Sequence, residues 1–312
     1  MALLLSVLEQ GMIYGILALG VYITYKILDF PDLTVDGSFP FGAAITVRLI
    51  NGFGVPAILT LPIAFLGGAL VGICTGLIHV KLKVRDLLSG IIMMTGLYTI
   101  NLWVAGSGYV AIFDKENIFN NSFVNIITPG FLVNFKNVII IFLITMVAKY
   151  LLDWYMSTKS GFLLRAVGDN DTIVTSLGVD KGLVKIVGLS IANGLVSLSG
   201  CIYAQQQRSF EISIGTGAVV IGLASVIIGT SLFKKLTFVK TTTAVIIGSI
   251  LYKGCVAIAI RFFDPQSMKL ITAVLFLVIL VISMERKQKA KGMAAGQYGG
   301  KTEKEGEDKC LS

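Results

Sequence analysis

Nine apolar stretches, each near the length a helix needs to cross a bilayer, divide the first 284 residues of this chain, a pattern that belongs in lipid and not in water. A crossing takes about 20 residues, because a helix rises about 1.5 Å per residue through a hydrocarbon core about 30 Å thick. The stretches are 4–27, 34–50, 54–79, 87–106, 137–156, 183–204, 213–233, 238–260 and 268–284. They predict an all-α fold, a polytopic transmembrane helical bundle of about nine segments occupying residues 1–284. A polar loop over 107–136, with Asn120-Asn121 and Pro129-Gly130 as turn signals, separates the fourth segment from the fifth. Past Glu285 the chain becomes a basic, Gly- and Glu/Lys-rich tail, 285–312, too poor in apolar residues to build a core and expected to be disordered.

Charge placement supports this reading and orients the chain. Only 14% of residues are charged and 55% are hydrophobic, whereas a soluble domain carries about 25% charge. The net charge of +8 sits in short clusters between apolar stretches and not in a groove-sized patch, so membrane lipid is the expected surrounding and nucleic acid is not an expected partner. If all nine stretches cross, the N-terminus lies outside and the C-terminus inside. The inner loops and tail then hold eighteen lysines and arginines against six outside, and eleven without the tail. That is the positive-inside distribution of a multi-pass protein of the bacterial inner membrane, with a cytoplasmic C-terminus. The start, Met1-Ala-Leu-Leu-Leu-Ser-Val, has no basic flank and reads as entry into the first segment, not as a signal peptide.

An odd number of crossings gives segments 1–4 and 6–9 opposite topologies. Both halves open with a Gly-bearing apolar helix, a short polar link and a glycine-interrupted segment. The first reads Leu17-Ala-Leu-Gly, then Asp32-Leu-Thr-Val-Asp-Gly-Ser-Phe-Pro-Phe-Gly; the second reads Leu198-Ser-Gly-Cys, then Glu211-Ile-Ser-Ile-Gly-Thr-Gly. Inverted repeats with broken segments at matching places mark a solute pathway.

Polar residues are costly in lipid, so each is a pathway candidate. Asp36, Gly37 and Ser38 lie with Pro40 in a stretch whose glycine and proline predict a broken helix, with a free helix end able to offer backbone N–H groups to a carboxylate. A plain loop over 29–36 is the alternative. Asn101 and Asn193 either line the pathway or join helices through a hydrogen bond worth roughly 1 kcal/mol. The cysteines fit no disulfide or zinc spacing, the lone His79 sits at a segment end beside Lys81, and no His-Glu-x-x-His occurs. The chain also lacks Gly-x4-Gly-Lys-Ser/Thr, so no cofactor is expected on it and any ATP and Mg belong to a separate ATPase.

The connection between segments 5 and 6, residues 157–181, combines Arg165 with a short amphipathic stretch that Asp169 or a neighbour is placed to cap and Gly178 to stop. It is either a docking knob for a soluble partner or an ordinary capped loop. Here the sequence resembles the cytoplasmic coupling region of permeases from the branched-chain amino acid and ribose group of ABC importers. The matching positions are Gly161, Arg165, Ala166, Gly168, Asp169, Asn170, with Asp171 following, and Leu177-Gly178-Val179. The opening Gly11-Met-Ile-Tyr-Gly-Ile-Leu-Ala-Leu-Gly and the tract Val219-Val-Ile-Gly-Leu-Ala-Ser-Val-Ile-Ile-Gly are similar to the first and seventh segments of that family. Branched-chain permeases carry an Asn-Phe-Ala-His-Gly type of turn where this chain has Asp32-Leu-Thr-Val-Asp-Gly-Ser, which is closer to the subgroup associated with tryptophan and other aromatic amino acids.

The resemblance implies a non-enzymatic permease subunit of an ATP-driven importer for a small polar solute, with an aromatic amino acid as first expectation and a sugar or nucleoside still open. It implies two ATPase subunits docked on residues 157–181, a second permease copy and an extracytoplasmic substrate-binding protein. An ion-coupled secondary transporter is the rival, and it requires essential carboxylates within the membrane; Glu9, Asp36 and Asp153 lie near segment ends.

Overall fold

The computed structural model describes residues 2–113, 115–120, 135–169, 171–176, 178–233, 240–262, 270 and 272–281. Helices occupy all nine predicted places. They are α1 (Ala2–Val21), α2 (Val35–Phe53), α3 (Thr60–Val80), α4 (Asp86–Ala105), α5 (Lys136–Met156), α8 (Lys181–Gln207), α9 (Ala218–Leu232), α10 (Thr241–Phe262) and α11 (Thr272–Val281). Two short helices, α6 (Lys159–Asp169) and α7 (Asp171–Ser176), fill the connection between α5 and α8. Among the described residues, seven helices are long and apolar enough to cross a membrane. The less apolar α2 is not one of them, and α11 is described over ten residues. The tail 285–312 and most of the 107–136 loop lie outside the described residues.

Large apolar side chains cover the outer surface as well as filling the core, unlike in a soluble bundle. Leu66, Leu70, Ile92, Trp103, Phe142, Leu143 and Trp154 are exposed where acyl chains would lie. The closest helix crossings fall at glycine and serine, because in lipid helices associate by close packing and not by hydrophobic expulsion from water. The tightest pair is α3 with α8, which cross antiparallel along Gly68, Gly72 and Gly76. A Cβ on Gly72 would stand 2.2 Å from the Leu189 carbonyl oxygen, so no larger residue fits there. Buried hydroxyls are satisfied by the turn below them, as in Thr46 to the Gly42 carbonyl (2.7 Å) and Thr145 to the Ile141 carbonyl (2.8 Å).

The two halves exchange their first helices. Antiparallel to one another, α1 and α8 meet with Ser199 Oγ donating to the Ile13 carbonyl (2.6 Å) and Gly20 against Ala192. Each then packs on the second and third helices of the opposite half: α8 on α2 and α3, α1 on α9 and α10. Serine hydroxyls fasten both exchanges, Ser197 to the Ala64 carbonyl at 2.7 Å and Ser249 to the Gly11 carbonyl at 2.8 Å.

The repeat halves are interrupted as expected, but not where expected. The chain leaves α1 through a π-helical turn, Tyr22–Ile27, and bends through Asp29 (φ 51°) before α2 starts at Val35. From there α2 runs through Pro40 unbroken to Phe53, which corrects the predicted break. Pro40 is only the sixth residue of α2, so its missing N–H frees a carbonyl in the first turn, that of Asp36, and the ladder beyond is intact. In the second half a 3-10 turn, Ile212–Gly215, precedes Gly217 (φ 83°), and α9 starts inside the bundle against α2. One two-stranded antiparallel sheet lies outside the all-α description: β1 (Tyr109–Ala111) pairs with β2 (Ser209–Glu211), joining the ends of α4 and α8.

Candidate functional site

Asp36 stands where the two interruptions meet. Its Oδ1 accepts the Val219 N–H at 2.8 Å and its Oδ2 accepts the Gly217 N–H at 3.1 Å, so a carboxylate in the first turn of α2 caps the start of α9. The close approach is possible because position 215 is glycine; a Cβ there would lie 2.0 Å from the Asp36 carbonyl oxygen. Just ahead of α2, Asp32 Oδ1 accepts the Thr34 N–H at 2.8 Å, a local turn; the helix start itself has no side-chain cap. The start of α9 is thus already held by a carboxylate of the chain, whereas that of α2 is not.

Beside Asp36 a cavity of about 360 Å³ is lined by Gly37, Pro40, Met94, Thr95, Tyr98, Asn101, Ile212, Ser213 and Thr216. Asn101, fully buried, donates Nδ2 to the Gly37 carbonyl at 3.1 Å, and its Oδ1 has no hydrogen-bond partner among the described residues. The amide orientation is fixed by chemistry, because a carbonyl can only accept. Of the five predicted pathway residues, Asp36, Gly37 and Asn101 therefore gather round one cavity. Ser38 and Asn193 do not line it. They hydrogen-bond to each other (Ser38 Oγ to Asn193 Oδ1, 2.6 Å), and Asn193 Nδ2 donates to Asp32 Oδ2 (2.8 Å) and the Leu189 carbonyl (3.1 Å). That set is fully buried near the middle of α8 and ties α8 to the α1–α2 link. Thr95, Tyr98 and Ser213 went unseen as site residues in the sequence, where they lie in stretches read only as apolar span; Asp32 was seen only as part of a motif.

The second candidate region is the 157–181 connection. It holds two helices where the sequence suggested one. Within α6, Gly161, Leu164 and Val167 are buried while Phe162, Arg165 and Asp169 are exposed, with Ala166 and Gly168 intermediate. The spacing 161, 164, 168 was the available signal, a narrow seam of small and apolar residues at helical period. Gly168 lies so close to the end of the π-turn that a Cβ would stand 1.6 Å from the Ile27 carbonyl oxygen. Leu164 reaches Gly188 of α8 alongside Leu28. Asp171 opens α7, and Gly178 (φ 73°) closes the connection, its N–H reaching the Thr175 carbonyl at 3.1 Å. Asn170 and Leu177 lie outside the described residues. The seat of α6 is thus the segment that continues through Leu28 and Phe30 to Asp32 and the cavity.

A family model described as branched-chain amino acid transport system / permease component matches residues 3–284. The chain is 42% identical to a tyrosine transport system permease protein of Clostridioides difficile over 279 residues, 89% of this chain and 90% of that one. It is 26% identical to a probable branched-chain amino acid transport permease protein of Methanocaldococcus jannaschii, covering 69% of this chain and 70% of the other. It is also 26% identical to a ribose import permease protein of Escherichia coli, covering 72% and 68%. No solved structure matches.

Proposed function

Since this chain belongs to the family of branched-chain amino acid transport system permease components, we propose that the solute it passes is an aromatic amino acid and that it does so as one of two identical copies. Membership makes it the non-catalytic, multi-pass membrane subunit of an ATP-driven ABC importer, working with ATPase and substrate-binding partners. The finer assignment rests on one observation above the others: the 42% identity, over nine-tenths of both chains, to a permease named for tyrosine. In this reading two ATPase subunits dock on residues 157–181, one per copy, against the exposed Arg165 and Asp169. The binding protein delivers solute at the opposite face, and the C-terminus is cytoplasmic. Residues 1–284 form the permease domain and 285–312 a tail.

Geometry supports the coupling route. ATP-driven movement of α6 is delivered through the Gly168–Ile27 contact to the Tyr22–Ile27 turn, and from there to Asp32 and the start of α2. The solute passes beside Asp36, Gly37 and Asn101, while Ser38 and Asn193 keep the moving link registered on α8. The ion-coupled rival needs carboxylates free to exchange ions. Here Glu9 accepts from Gln206 (3.0 Å), Asp36 caps α9, and Asp153 takes Lys149, Lys240 and Thr242.

The test is reconstitution of the permease with its co-purifying ATPase and binding protein in proteoliposomes. ATP-dependent uptake of tyrosine, tryptophan or phenylalanine in preference to leucine and ribose is expected. Preference for leucine or ribose would reassign the solute, and uptake driven by a proton gradient without ATP would overturn the coupling.

A further inference from the structure

The cavity beside Asp36 is chemically one-sided. The Asp36 carboxylate is an acceptor only, each oxygen already taking one backbone N–H and retaining a lone pair. Asn101, which also lines the cavity, has spent an amide proton on Gly37 and keeps a fully buried Oδ1 without a partner among the described residues. The Thr95 hydroxyl gives its proton to the Ile91 carbonyl at 2.8 Å, and the Ser213 hydroxyl gives its proton to Glu211 Oε1. Each of these hydroxyls can therefore only accept from a guest. Against four acceptor groups stand the hydroxyls of Tyr98 and Thr216, and among the described residues no lysine or arginine lines the space. Met94, Pro40, Ile212 and the Tyr98 ring complete the wall with apolar and aromatic surface.

A buried acceptor without a donor is costly to keep unless something supplies the missing proton. A wall of acceptors, one of them anionic, suits a guest rich in donors and positive charge. It is unsuited to a carboxylate, which would meet lone pairs and a like charge. We propose that this cavity receives the protonated amino group of the solute, with Asn101 Oδ1 and the Asp36 carboxylate as acceptors and the Tyr98 ring beside the side chain. This rests on the reading of the cavity as part of the solute pathway. It assigns the cavity to the ammonium end of an amino acid and leaves the carboxylate end to face elsewhere. A sugar would give Asp36 a hydroxyl hydrogen bond but no ion pair.

The experiment uses the assembled transporter in proteoliposomes, carrying Thr95→Cys in a chain whose native Cys74, Cys201, Cys255 and Cys310 are replaced by serine or alanine. Tyr98→Cys, also on the cavity wall, serves as the second reporter if the first assembles poorly. Thiosulfonate reagents bearing a trimethylammonium or a sulfonate are compared, each rate divided by that reagent's rate with a free small thiol. The cationic reagent is expected to react at least about tenfold faster after this correction, because a wall of one sign concentrates its counter-charge. Asn101→Leu should shrink the ratio, and phenethylamine should slow labelling where phenylpropionate does not. Equal normalised rates, or a faster anion, would overturn the ammonium assignment while leaving a water-reached pathway standing. Failure of both reagents at both positions, at rest and during ATP turnover, would remove the pathway reading and this inference with it.

Discussion

The carboxylate of Asp36, in the first turn of α2, accepts the backbone N–H of Val219, in the first turn of α9, at 2.8 Å. Two helices that start in the interior from opposite halves of the chain thereby share one cap, 183 positions apart. A cap bonded to two orphan N–H groups at a helix start is worth about 1–2 kcal/mol. Asp36→Ala is expected to destabilise the purified permease by that amount, and Asp36→Asn by less, because one amide oxygen still accepts. Thermal unfolding in detergent, followed by a thiol-reactive dye or by circular dichroism, checks the order; equal melting of all three forms would refute the shared cap.

The Gly168–Ile27 contact leaves no room for a methyl group. Gly168→Ala should push α6 off its seat and lower binding-protein-stimulated ATPase activity at least about fivefold, with the unstimulated rate little changed. The observation that would contradict it is wild-type stimulation in a variant that still assembles.

Arg165 and Asp169 are exposed and contribute little to the packing of α6. Arg165→Ala and Asp169→Ala should leave the melting temperature of the isolated permease within about 2 °C of the parent, since surface changes cost roughly 0.5 kcal/mol or less. The same variants should retain less ATPase on affinity purification. A pair of variants that melt early but still hold the ATPase would assign these residues to the fold instead.

Asn193→Ala removes the group that joins Ser38 to Asp32, leaving a buried carboxylate and a hydroxyl short of partners. The cost of stranding such groups is roughly 2–4 kcal/mol. Asn193→Asp should be at least as harmful, because it sets a second carboxylate against Asp32. The populations of folded permease that survive mild heating, read by size-exclusion chromatography, should rank parent above Asn193→Ala above or equal to Asn193→Asp.

The spans were legible because length and hydropathy act locally. The stretch read as 183–204 is α8 over Lys181–Gln207, and that read as 87–106 is α4 over Asp86–Ala105. What escaped were features decided by distant partners. Pro40 signalled a break, yet its place early in α2 leaves the helix whole. The helix α6 left little signal because its buried seam is only three residues, Gly161, Leu164 and Val167, in a short and mixed stretch. Of the polar residues singled out, Asn101 and Asn193 carry the same side chain and are both fully buried in their helices. Only the fold reveals that one has both ends engaged and the other keeps an oxygen unmatched. Thr95 and Tyr98 were silent because a hydroxyl on an apolar helix looks the same whether it faces lipid or a cavity.

The exchange of first helices has a consequence for how the protein is made. Helix α1 leaves the ribosome well before α8, α9 and α10, against which it packs. Its earlier partners are α2, where Phe39 stacks on Tyr14 at 5.5 Å, and then α5. Until then α1 waits in the bilayer with Glu9 unmatched, since Gln206 arrives nearly two hundred residues later. Assembly of this permease is therefore not a stacking of finished hairpins. An early helix is closed in by late ones, and a chain stopped short of α10 leaves α1 exposed to quality control.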